Sequence, residues 1–196
     1  MLNQATTMTS SLVLTDPAAQ PYRQATQIWL ERAVIGLNLC PFANKVHVNN
    51  AIRYCVSAAS DTDGLLTLFF DELAYLEKTP ITTCETTLLI EPTLLQPFES
   101  FLDFVTLAEM AIEHMGLQGQ FQLAHFHPAY CFAEEAWDDL SHYTNRSPYP
   151  TLHLLREESI SRAVTSIPDA SQIYERNKTT LRHLGLAGWQ ALWQRK

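Results

Sequence analysis

Between residues 51 and 127 the hydrophobic pattern changes period four times, and this alternation constrains the fold more than any other feature. Residues 51–58 alternate, with Ile52, Tyr54 and Val56 on one side and Arg53, Cys55 and Ser57 on the other, the two-residue repeat of a strand. Asp61 or Asp63 is placed to cap a helix whose stripe is Leu65, Leu66, Leu68, Phe69, Leu73 and Leu76, ended at Lys78-Thr-Pro80. Residues 86–90 read as a second, buried strand closed by Glu91-Pro92. A helix over 97–115 turns Phe101, Phe104, Val105, Ala108, Ala111 and Ile112 inward, and Gly116 stops it. His114 falls on its polar face. Residues 121–127 form a third strand, with Phe121, Leu123, His125 and His127 on one face and Gln122, Ala124 and Phe126 on the other. A βαβαβ run predicts an α/β or α+β single domain around a small parallel or mixed sheet, flanked by N- and C-terminal helices.

The flanks follow the same logic. Residues 1–20 are expected to be a disordered tail and 21–196 one globular domain, since the start is rich in Thr and Ser and nothing marks a second domain. Pro21 opens a helix over 21–39, with Tyr22, Ala25, Ile28, Trp29, Ala33 and Leu37 on its apolar face. Arg32 projects into that face. Pro150 is well suited to the first turn of another helix, whose apolar face would carry Leu152, Ile160, Ala163 and Val164 with His153 and Arg156 among them. A terminal helical segment over 171–193 is interrupted near Gly185 and Gly188.

Charge and cysteines narrow the function classes. A formal charge of −8 argues against non-specific binding of nucleic acid or of acidic membranes. No window reaches the roughly 18 apolar residues of a membrane helix, and the start lacks the basic and apolar regions of a secretory signal. Cys40, Cys55, Cys84 and Cys131 have neither a close pair nor zinc-ribbon spacing. Free thiols in a reducing cytoplasm are the simplest reading.

Chemistry-bearing residues concentrate after the third strand. Residues 128–150 lack periodicity yet hold many aromatics, which argues for an ordered, site-forming loop. Ligands in such sheets sit beyond the carboxyl ends of the strands. Cys40, fixed at a corner by Pro41, together with His127 and His153, is a candidate set for nucleophilic or acid–base chemistry. The same three residues, or His125-x-His127 with added ligands, are the alternative of a transition-metal site. Arg32, Asn145, Arg146, Ser147 and Arg156 form a candidate anion site, because guanidinium groups and a helix amino end favour phosphate or carboxylate. No glycine-rich phosphate loop, nucleophile elbow or second cysteine of a thioredoxin motif is present.

Four segments resemble one bacterial family, the domain of unknown function 1415. They are Gly36-Leu-Asn-Leu-Cys-Pro-Phe-Ala43, Phe126-His-Pro128, Thr144-Asn-Arg-Ser-Pro-Tyr-Pro-Thr-Leu-His-Leu-Leu-Arg-Glu157 and Tyr174-Glu-Arg-Asn177. The resemblance covers residues 22–185. It implies a cytoplasmic single-domain protein with no assigned activity, and it adds Asn177 to the substrate-binding candidates. The expectation is an enzyme acting on a small anionic molecule in a Cys/His/Arg pocket. No cofactor is specified. Besides the metal-binding protein, the remaining alternative is a non-catalytic binding module whose polar network is structural.

Overall fold

The computed structural model describes residues 12–166 and 172–194. Helix α1 (Gln20–Trp29) continues into a π-helical turn, Leu30–Ile35. Then come α2 (Ala43–Val48), β1 (Ile52–Val56), α3 (Thr62–Lys78), β2 (Thr86–Ile90), α4 (Phe98–His114) and β3 (Phe121–Phe126). A 3-10 turn (Leu140–Thr144), β4 (Thr151–Arg156), α5 (Glu157–Ser166) and α6 (Ile173–Gln194) complete the chain. The fold is a mixed α/β single layer of sheet between two helical layers. The sequence-derived strands and their intervening helices stand where the periodicity puts them. Asp61 is the cap of α3, its carboxylate accepting from the Gly64 amide at 2.8 Å. Gly116, at φ 69°, supplies the left-handed residue that closes α4.

The sheet order is β1-β2-β4-β3. β1 and β2 are parallel, and β4 runs antiparallel to both β2 and β3. β1, β2 and β3 therefore point one way, as a βαβαβ run requires, and β4 fills the gap between β2 and β3 from the opposite direction. This corrects the helix expected from Pro150: residues Thr151–Arg156 are a strand, and helix begins only at Glu157. This central strand is buried on its core face and half-buried on the other, so it reads as a short, largely apolar run that periodicity cannot tell from a helix. The ladder settles it, because every backbone group of a buried segment needs a partner and β4 has one on each side. The helix expected over 21–39 is also modified, since its α-helical part ends at Trp29.

The two sheet faces are covered differently. Cys55, Leu89, Leu152, Leu154 and Phe121 face α3 and α4, forming the main core with Leu65, Phe69, Leu73, Phe101 and Phe104. The opposite face is met by α1, its π-helical extension and α6, through Trp29, Leu30, Val34, Leu39, Leu181 and Trp189. α6 bends at Gly185, where φ is 69°. Of the expected tail, residues 1–11 lie outside the described residues. Val13 bridges to Ser57, and the Leu14 amide donates to the Val56 carbonyl at 2.8 Å, so the chain is pinned beside β1 before α1 begins.

Candidate functional site

Strand register decides which side chains meet. Leu88, His153 and Ala124 lie side by side across β2, β4 and β3, and since alternate residues share a face they point away from the main core. The helices on that side leave part of the sheet uncovered. The result is a groove of about 730 Å³. Its floor includes Leu88, Ala124, Phe126, His153 and Leu155; one wall is Trp29, Leu30, Val34 and the Cys40-Pro41-Phe42 corner, and the other is Ser159, Ile160 and Ala163 of α5. Volume and apolar lining are those of a small-molecule site.

His153 is the anomaly on that floor. It is half-buried, its ring is 6.1 Å from Phe126, and it makes no hydrogen bond with a described residue. Burial pulls its pKa down from 6.5 to about 4, because the imidazolium loses hydration with no carboxylate in compensation. The imidazole is neutral near pH 7. Cys40, also half-buried, lines the same groove. Burial raises its thiol pKa, and the amides of Phe42 and Ala43 offset this in part. Cys40 is held from behind by α6: the Asn177 amide donates to the Leu39 carbonyl at 2.7 Å and Arg176 to the Asn38 carbonyl at 2.9 Å.

His127 lies on the other side of the sheet. It is buried beneath Phe98 and Phe101, with Nδ1 accepting from the Ala129 amide at 3.0 Å and Nε2 3.1 Å from the Leu95 carbonyl. The first contact requires a bare Nδ1, so Nε2 carries the proton and donates. Burial lowers its pKa too. The structure thus brings two of the three Cys/His candidates into one groove and puts the third elsewhere. Among the described residues no group of three His, Cys, Asp or Glu side chains is placed to hold a metal.

The anion candidates do not converge either; each serves a backbone carbonyl. Arg156 faces the main core, where its guanidinium donates to the Leu76, Thr79 and Cys84 carbonyls around the carboxyl end of α3. Arg32 donates to the Leu192 carbonyl at 3.0 Å. Arg146 donates to the Tyr130 carbonyl at 3.1 Å and stacks 4.3 Å over the Tyr143 ring. Asn145 donates to the His125 carbonyl at 3.3 Å, and Ser147 to the Tyr149 carbonyl at 2.6 Å. None of these residues, and none of 128–150, lines the groove. That loop is instead fastened to α6 through Glu135 and Asp139, each 2.8 Å from Arg182.

Three groups that the sequence reading passed over matter here. Lys45 of α2, Arg162 of α5 and Glu85 ahead of β2 line the groove, and nothing in their local sequence distinguishes them from solvated surface charges. The chain also pairs Cys131 with His142, Sγ to Nε2 at 3.5 Å. That imidazole is already spoken for: Nδ1 accepts from the Phe132 amide at 3.1 Å and Nε2 lies 2.7 Å from the Ala136 carbonyl. A second hollow, about 620 Å³, runs along the outer edge of β1 beside Val13 and Leu14. Its cations are paired, Arg23 with Asp16 at 3.1 Å and Arg53 with Glu72 at 2.6 Å.

Fold and groove together define a single-domain α/β protein with a mixed sheet between helical layers and a largely apolar hollow over part of one face. No helix among the described residues is long and apolar enough to cross a membrane. The chain belongs to the family described as protein of unknown function DUF1415, whose model matches residues 21–191. No curated protein and no solved structure matches it.

Proposed function

We propose that the groove is where this protein meets its substrate, a small anionic molecule, and that Cys40 and His153 are the groups that act on it. One observation carries the reading. The fully buried rings of His127 and His142 have both nitrogens engaged, whereas the His153 ring has a hollow beside it in place of a partner. The ring nitrogens of His153 open into a cavity of ligand size and have no partner among the described residues, so they are free to pair with a group that a ligand brings. A neutral imidazole accepts a proton; a thiol that surrenders one becomes a nucleophile. Arg176 and Asn177 would be positioning residues, fixing the carbonyls before Cys40. The compartment that suits four unpaired cysteines is the cytoplasm.

The non-catalytic alternative has its own support. Burial raises the Cys40 pKa, and among the described residues no third group orients His153, so binding without chemistry is the second reading. Metal binding, the remaining alternative, lacks a clustered ligand set among the described residues. The deciding experiment follows the His153 ring signals by NMR while a panel of small organic acids and phosphate esters is added, with Ala124→Leu, which fills the floor beside His153, as control. Binding should move the His153 resonance in the parent protein and not in the control. A panel that moves other signals but leaves His153 still, in both proteins, would refute the reading.

A further inference from the structure

We infer that the ligand is an amphipathic carboxylate, an alkyl or aryl body lying over Leu88, Phe126 and Leu155 and carrying an uncharged polar group beside His153, with its anionic head at the groove mouth between Lys45 and Arg162. This rests on the reading that the groove is the ligand site, and it specifies what kind of molecule enters.

The lining residues force the division of the ligand. Apart from Cys40, Thr86, His153 and Ser159, the floor and inner walls carry aliphatic and aromatic side chains, with no lysine or arginine among them. A carboxylate pushed to the floor would be stripped of water opposite an uncharged ring, which is prohibitive for an unpaired charge. The cations stand where side chains reach solvent. Lys45 is exposed and makes no ion pair with a described residue. Arg162 is mostly exposed, its one carboxylate contact among the described residues a loose 3.6 Å to Glu85. Two cations and one anion at the mouth give a locally positive rim on a chain whose formal charge is −8. A compact anion such as inorganic phosphate would gain only exposed ion pairs, which contribute little, and would leave the apolar floor wet. An apolar cation would meet the wrong sign of charge. An apolar body with a terminal carboxylate satisfies both regions, and about 730 Å³ accommodates a ligand of drug-like size.

The test is isothermal titration of the full-length protein with hexanoate, octanoate and decanoate below their micellar concentrations. Octanol, octyltrimethylammonium and inorganic phosphate are titrated alongside. Each added methylene should tighten binding about threefold to fourfold. Octanoate should bind several-fold more tightly than octanol, with an advantage that shrinks in salt and vanishes in Lys45→Ala/Arg162→Ala. Both substitutions are at exposed helical positions, so folding survives. Octanol or octyltrimethylammonium binding as well as octanoate overturns the anionic head while leaving the groove as a ligand site. Phosphate binding without any chain-length dependence overturns the apolar body. If none of the apolar compounds binds and Ala124→Leu alters no titration, the groove reading itself falls.

Discussion

Acid should destabilise this protein through His153, and His153→Phe should remove that sensitivity. The folded-state pKa is about 4 against 6.5 for the free side chain, so between those values the unfolded chain takes up a proton that the folded chain refuses. The neutral ring's contribution is complete above pH 6.5 and is lost as pH falls toward 4. Going from about pH 7.5 to about pH 5, the linkage relation gives a loss of about 2 kcal/mol, nearer 1 if water in the groove relieves part of the desolvation. Phenylalanine fits beside Phe126 and cannot titrate. Urea denaturation of parent and variant at both pH values isolates the term. His125 and His127, whose pKa values burial also lowers, titrate in both proteins and cancel. The parent should lose about 1–2 kcal/mol more than the variant. Equal losses, or a His153 NMR titration midpoint near 6.5, would refute the claim that the ring sits desolvated and unpaired on the sheet.

Two further outcomes follow from the placements. Arg156→Met keeps the stem but abandons the carbonyls of Leu76, Thr79 and Cys84, and should cost about 2–4 kcal/mol, read by thermal or urea denaturation with ligand titrations unchanged for whatever remains folded. Loss of ligand binding with stability intact would make Arg156 a binding residue after all. Cys40, whose thiol pKa burial raises, should be alkylated by iodoacetamide at pH 7.5 several-fold more slowly than the same cysteine in the unfolded chain. Bound octanoate should slow it further, as peptide mass mapping will report. Faster labelling in the folded state would mean that the thiolate is stabilised, which would overturn the burial-raised pKa and favour the nucleophilic role over binding without chemistry.

Much of the fold was legible because periodicity is local. Ile52/Tyr54/Val56 against Arg53/Cys55, and Phe121/Leu123/His125 against Ala124/Phe126, fall on opposite sheet faces as their alternation requires. The fourth strand was not legible, because Thr151-Leu-His-Leu-Leu-Arg156 is buried on one face and partly covered on the other, and its apolar spacing also suits a helix. That misreading put His153 and Arg156 on one face. In a strand they are three residues apart and point opposite ways, His153 into the groove and Arg156 into the core. The polar character of the 144–157 motif was visible, but its use was not: a guanidinium drawn to ligand anions is equally drawn to the bare carbonyls at a helix end.

The sequence by itself determined the βαβαβ run between residues 51 and 127, the inward face of each of its elements, and the presence of Cys40 and His153 as chemically able groups, since all of these depend on neighbours within a few positions. Only the tertiary structure decided that β4 slots between β2 and β3, that His127 and His153 lie on opposite sides of the sheet, and that the arginines are spent on backbone. The reason is range: Arg156 finds its carbonyls 72–80 positions away, and His153 borders its groove through strands paired from distant parts of the chain. No local pattern encodes partners that only the packed chain brings together.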